Sequence, residues 1–170
     1  TCIQEIAENS VDTPHLKFLH GAPIIPPVEF EANGPISKYN IMDGYIWGIG
    51  HGPGISETRH NKGDVAMLMF ALSTPVHEEL TRTRMAFTWK KYPEGSEDAK
   101  TAEHLYHHSI GEAEGEDSAG FESVDLIVWD NKKYRPNPLL CDGDGPILKF
   151  REYFKQFYVE KNEAQQAAAE

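Results

Sequence analysis

Between Asp12 and His20 the chain places one carboxylate and two imidazoles, Asp12, His15 and His20, within nine positions, with apolar residues between them. Oxygen and imidazole-nitrogen donors at such close spacing are what a divalent transition metal takes up. Two imidazoles supply only two ligands, so a metal site needs a third donor from elsewhere. The stretch from Phe121 offers one, because Phe121, Val124, Val128 and Trp129 recur at helical spacing around a single carboxylate, Asp125. A carboxylate on an apolar helical face is costly to bury unless it is paired or bound to a cation. Asp125 is therefore the candidate third ligand, with Asp130 the fallback should the helical register differ. His15, His20 and Asp125 together make a two-histidine, one-carboxylate set, which holds non-haem Fe(II) and leaves positions open for O2 and an organic substrate. The same spacing also arises where two histidines and an aspartate merely pack, cap or pair.

Positioning these residues requires a short helix that stops early. Pro14 suits a helical first turn, Ser10 or Thr13 can cap it, and Gly21 is a natural stop. Asp12 and His15 share a face at three-residue spacing, but His20 lies roughly 140° round an ideal helix from His15. Both imidazoles reach one ion only if the helix loosens or ends near Leu19. Residues 1–7 read as a short strand or lead-in, and residues 22–35, with Pro23, Pro26, Pro27 and Pro35, as a loop. Residues 39–50 and 64–73 read as strands, the second apolar on both faces and so central, with a loop over 51–63 between them. Residues 79–91 carry the cleanest alternation, with Thr81, Thr83, Met85, Phe87 and Trp89 on one face and Arg82, Arg84, Thr88 and Lys90 on the other. That pattern predicts a half-exposed antiparallel strand. Met67, Met69, Met85, Phe87 and Trp89 form either core or pocket wall.

Further on, residues 99–110 are predicted helical and 111–120 a mobile acidic loop. A last helix from Pro146 carries the apolar stripe Ile147, Phe150, Phe154, Phe157 and Tyr158. The pattern predicts an α+β domain over residues 1–160, with a fraying tail at 161–170. At 170 residues the chain is long enough for one domain. Its net charge of −11 would repel a phosphate backbone, which excludes nucleic acid as a partner. Cys2 and Cys141 are too few for a disulfide framework, a four-cysteine zinc site or a cluster site without other residues. No apolar run approaches a membrane span and no signal-peptide core is present, so the chain reads as soluble and cytoplasmic. Thr1 in place of an initiator methionine suggests an excised or processed piece. His104 and His108, four apart on a helix, could bind zinc but lack a carboxylate placed as a general base, and read as a solvated face. Asp142-Gly143-Asp144-Gly145 lacks the glutamate of a calcium loop and reads as a turn.

Glu8-Asn9 followed by Asp12-x2-His15-x4-His20-Gly21 resembles the mononuclear iron motif of Rieske-type non-haem iron oxygenases. Residues 3–9 and Leu19-His20-Gly21 resemble the branch holding the oxygenase component of 3-ketosteroid 9α-hydroxylase and the cholesterol 7-desaturases. So do Thr74-Pro75-Val76, Asp125-Leu126-Ile127-Val128-Trp129 with Asn131-Lys132, and Asp144-Gly145-Pro146-Ile147 leading to Gln156-Phe157-Tyr158. The resemblance implies a helix-grip fold, a curved antiparallel sheet around a long carboxy-terminal helix. It implies Fe(II) on His15, His20 and Asp125, with Asp12 as the acid that passes electrons to the iron from a cluster in a neighbouring subunit. The implied activity is O2-dependent hydroxylation or desaturation of a steroid or sterol, in a homotrimer fed by NADH through a reductase. The family's 2Fe-2S cluster sits on Cys-x-His and Cys-x2-His pairs that are absent here. The cluster must come from a missing or separate Rieske domain or ferredoxin. Two rivals are a helix-grip lipid-binding module without metal chemistry, and a zinc protein centred on His104 and His108.

Overall fold

The computed structural model describes residues 1–110 and 121–159, the second segment with side chains from residue 124. The acidic stretch at 111–120, the tail at 161–170 and the side chain of Phe121 lie outside the described residues. Two short helices, α1 (Ile3–Glu8) and α2 (Pro14–Phe18), lead into six strands, β1 (Val28–Asn33), β2 (Ile36–Ile41), β3 (Ile46–His51), β4 (Ile55–Lys62), β5 (Val65–His77) and β6 (Leu80–Trp89). Three helices follow, α3 (Glu97–Ile110), α4 (Phe121–Asn131) and α5 (Ile147–Phe154), the last continued by a 3-10 turn, Lys155–Phe157. The strands form one curved antiparallel sheet in sequence order, β1 to β6, so the chain is α+β.

Several elements differ from the sequence reading. Where residues 1–7 read as a short strand or lead-in, Ile3–Glu8 form a helix, on which Gln4, Glu5 and Glu8 are buried and find side-chain partners. The proline-rich stretch contains β1, whose prolines fall outside the strand. Residues 39–50 are two strands, since Met42, Asp43 and Gly44 all take positive φ and turn the chain back, pairing Ile41 with Ile46. The supposed loop at 51–63 contains β4, hidden because its inward residues are the polar Ser56, Thr58 and His60. Strand β5 is next to the edge rather than central, though it pairs on both sides. The terminal helix is eight residues long, not extended, and packs on α1 and β1.

One core joins α2, β1–β3 and α5 through Val11, Leu16, Phe30, Ile41, Phe150 and Phe154. From the predicted stripe, Ile147, Phe150 and Phe154 are buried, whereas Tyr158 is half exposed and donates its hydroxyl to Gln4 Oε1 at 2.6 Å. A second core forms where α3 lies on the far strands, with Val65, Met67, Ala102 and Leu105 buried and Phe87 and Tyr106 against them. Strand β6 alternates as predicted, its odd positions Thr81 to Phe87 turned inward.

Candidate metal centre

The site begins with how α2 ends. Thr13 sits at the N-cap without a capping side-chain bond, and Ser10 Oγ donates instead to the Ala7 carbonyl at 2.8 Å. The backbone N–H groups of Leu19 and His20 both reach the His15 carbonyl, at 2.8 and 3.2 Å, and Gly21 follows with φ 73°. A left-handed residue after the last turn is a common helix stop that glycine takes at little cost. The chain therefore turns out of the helix at the point where the angular mismatch between the two histidines required it. Their rings lie 5.1 Å apart, nearly perpendicular.

Asp125, buried on α4, completes the set. Its Oδ1 lies 3.2 Å from His20 Nε2, and its Oδ2 accepts a hydrogen bond from Asn9 Nδ2 at 3.3 Å. The ring Nδ1–H of His15 donates to the Asp12 carbonyl, leaving Nε2 for an ion. Burial pushes the His15 pKa down, so the ring is neutral and carries a lone pair at neutral pH. One ligand atom from each of His15, His20 and Asp125 lies within 4.8 Å of the others, and among the described residues no other group of three such side chains does so. For metal–ligand bonds of roughly 2.1 Å, adjacent ligands of a six-coordinate ion stand about 3 Å apart. The His20–Asp125 separation already matches that edge. Two imidazoles and one carboxylate, with second-shell partners in place for His15 and Asp125, fit a divalent ion.

The other sequence candidates fall elsewhere. Asp130 points outward and is exposed. Asp12 is half-buried; its carbonyl holds His15, while burial raises its acid pKa and its side chain lines an outer pocket with Lys132 and Asp144. His104 and His108 stack at 6.1 Å without joining a third ligand among the described residues. Asp144 Oδ2 accepts the Cys141 N–H at 2.6 Å, which makes that stretch a turn. Around Asp125 the helix is less uniformly apolar-inward than its spacing suggested, because among the described side chains Val128 is exposed and Val124 and Trp129 are half-buried.

A cavity of about 180 Å³ lies between this cluster and the sheet, with His15 and Asp125 at one wall. Ile6, Leu16, Ile46, Met69, Met85 and Phe154 supply apolar lining. The methionine group thus divides, Met69 and Met85 facing the cavity and Met67 lying in the second core. His60 also lines the cavity, its pKa pushed down to about 4, mainly by burial and further by nearby His108.

On the other side of α1 lies a cluster that the sequence reading missed. Arg151 of α5 donates to both carboxylate oxygens of Glu8, at 2.6 and 2.9 Å, and to Glu5 at 3.2 Å. Lys132 reaches the other Glu5 oxygen at 2.9 Å. Asn9 was missed as well, although it stands in the quoted motif. Its place beside Glu8 at the head of the quoted motif was the available signal.

The family model for the 3-ketosteroid 9alpha-hydroxylase C-terminal domain matches residues 1–158. Similar proteins include a cholesterol 7-desaturase of Caenorhabditis elegans, 53% identical over 38 residues, which are 22% of this chain and 9% of that protein. A probable 3-ketosteroid-9-alpha-monooxygenase oxygenase component of Rhodococcus rhodochrous is 49% identical over 41 residues, 24% of this chain and 10% of that protein. The cholesterol 7-desaturase nvd of Xenopus laevis is 47% identical over 34 residues, 20% of this chain and 8% of that protein. The matched stretches thus span a tenth or less of these relatives' length.

Proposed function

Because the chain belongs to the 3-ketosteroid 9alpha-hydroxylase C-terminal domain family, we propose that it is the iron-binding catalytic domain of a Rieske-type oxygenase acting on a steroid or sterol. The observation that carries this reading is a buried carboxylate, Asp125, turned toward two imidazoles at the wall of an apolar cavity. A carboxylate in that setting is stabilised by a cation, and the nearest side chains offer metal-ligand atoms.

Fe(II) held there would supply O2 activation beside the bound substrate. The protein's part follows from its own geometry. The Asp12 carbonyl keeps the His15 proton on Nδ1 and aims Nε2 at the ion. Asn9 holds one Asp125 oxygen so that the other faces His20. The apolar cavity wall binds a hydrocarbon skeleton and keeps water from the reacting carbon. Hydroxylation places one oxygen atom of O2 on that carbon and releases the other as water, consuming two electrons and two protons. Those electrons come, in this reading, from a 2Fe-2S cluster in another domain or protein, reduced by NADH through a reductase. Asp12 is suited to the electron bridge because its backbone touches a ligand histidine while its carboxyl group lines the outer pocket.

Metal analysis and turnover test the proposal together. The chain purified with Fe(II) is expected to hold about one iron, as three protein ligands of this kind imply, and His15→Ala is expected to abolish it. The iron-loaded chain mixed with a Rieske protein, reductase, NADH and a steroid panel should give an oxygenated or desaturated product. The apolar lining of the cavity would also suit a second reading, a sterol carrier. A chain that excludes iron yet binds sterol would establish that reading instead.

A further inference from the structure

The sheet wall of the cavity holds a polar feature that the metal set does not use. Tyr39 on β2 and Thr58 on β4 belong to strands separated by β3, yet their hydroxyls hydrogen-bond to each other. The register makes this possible, because Tyr39 pairs with Gly48 and Gly48 pairs with Thr58, so the three share one row and one face. A Cβ on Gly48 would overlap the Tyr39 ring and hydroxyl. The glycine leaves the space through which the phenol crosses β3.

Counting hydrogens shows what the pair lacks. Two hydroxyls carry two donor hydrogens, and the bond between them uses one. Neither hydroxyl has another hydrogen-bond partner among the described residues, and both residues are buried at the cavity wall. A buried donor without an acceptor is costly, more so than an unused lone pair. Three other hydroxyls at the cavity already donate to carbonyls: Ser109 and Ser10 to those of Leu105 and Ala7, both at 2.8 Å, and Tyr153 to that of Pro35 at 2.9 Å; Ser37 and Ser56 line the same wall as single short hydroxyls. The Ser73–Thr83 pair resembles the Tyr39–Thr58 pair, but it is only part-buried, so water can complete it. Burial pushes the Tyr39 phenol up to about 12, which keeps its proton in place at neutral pH.

We infer that the Tyr39–Thr58 hydroxyl pair is the polar anchor of the cavity, donating one hydrogen bond to an acceptor oxygen on an otherwise apolar ligand. A ketone or a hydroxyl oxygen serves equally as the acceptor; a hydrocarbon skeleton without it leaves the donor unmet. The ligand then spans from an oxygen on the sheet wall to a carbon beside the metal set, which is contributed by the segment around α2 and by α4. The inference rests on the oxygenase reading for the class of ligand, and not for the anchor itself.

Binding of three matched probes to the metal-free chain tests it, using a 3-ketosteroid, its 3-hydroxy counterpart and its 3-deoxy counterpart, with affinities from equilibrium dialysis. The oxygenated probes are expected to bind about tenfold more tightly than the deoxy probe, the worth of one neutral hydrogen bond. Tyr39→Phe with Thr58→Val should bring that ratio to about one by removing both donors while keeping the deoxy affinity. The double substitution is used because either hydroxyl alone keeps a hydrogen to donate. Equal affinity for oxygenated and deoxy probes in the unaltered chain would overturn the anchor without any need for a variant. So would a preference that survives in the folded double variant, or binding of none of the probes. Iron content, measured separately, distinguishes the two readings: discrimination without iron keeps the anchor and sinks the oxygenase, and iron without discrimination does the reverse.

Discussion

Helix α1 stands between a buried pair of acids and a single buried acid that are finished in different ways. On one side Glu5 and Glu8 meet Arg151 and Lys132, so every carboxylate oxygen involved has a cationic donor. On the other side Asp125 meets His20 and Asn9, with His15 close by and held neutral by burial. The first group closes its own charge and ties α1 to α5 and to the chain after α4. The second group has ligands and orientation in place, but no fixed positive charge opposite its carboxylate. A buried acid is thus read by what completes it, structural where an arginine fork does so and receptive where imidazoles converge on it.

Breaking the closed group should have the largest effect on stability. Arg151→Met leaves Glu5 and Glu8 buried without their fork, and is expected to cost about 3–5 kcal/mol in urea unfolding. A loss below about 1 kcal/mol would show that the cluster is no more than a surface-type pairing.

A buried imidazole outside both groups supplies the next effect, through pH. His60 has its pKa lowered from 6.5 to about 4, so the fold favours its neutral form. Its contribution is complete above pH 6.5 and is lost as pH falls from 6.5 toward 4, about 3 kcal/mol over that window. The His15 shift has the same sign, whereas the raised pKa of Asp12 favours its protonated form and opposes the trend. His60→Gln should flatten the decline between pH 7 and pH 5, as followed by urea midpoints. An unchanged slope would place the loss on other groups.

The receptive group is probed more gently. Asn9→Ala frees one oxygen of Asp125, and is expected to weaken Fe(II) binding about tenfold, as loss of a second-shell partner does. Competition with a calibrated chelator measures it. Smallest of all, Asp125→Asn should change the metal-free stability by less than about 1 kcal/mol, because the isosteric amide still offers an acceptor oxygen at that place, while it removes Fe(II) binding. A large loss of metal-free stability would mean that this carboxylate is structurally paired after all.

Much of the geometry that brings His15, His20 and Asp125 together was legible along the chain because its constraints are local. The angular mismatch of His15 and His20 demanded a helix that stops near Leu19, and Gly21 supplies the stop. Asp125 was recognisable as a lone charge among apolar residues, though the outward turn of Val128 shows that the stripe was less complete than its spacing suggested. Strand β6 was legible for the same local reason, its strict alternation. Strand β4 was not, because its inward residues are Ser56, Thr58 and His60, whose polarity hides a face buried only by contact with other strands. The turn at Met42–Gly44 was hidden too, since two of its positive-φ positions are not glycine.

The sequence by itself determined the donor types, the break in α2 and the α+β pattern, because each depends on the chemistry of neighbouring residues and on backbone geometry over a few positions. Only the tertiary structure decided which polar groups meet. Arg151 reaches Glu8 across 143 positions, Asn9 reaches Asp125 across 116, and Tyr39 reaches Thr58 over the gap left by Gly48. Whether a buried polar group is closed, receptive or awaiting an acceptor depends on partners that packing brings together, and no local pattern carries that information.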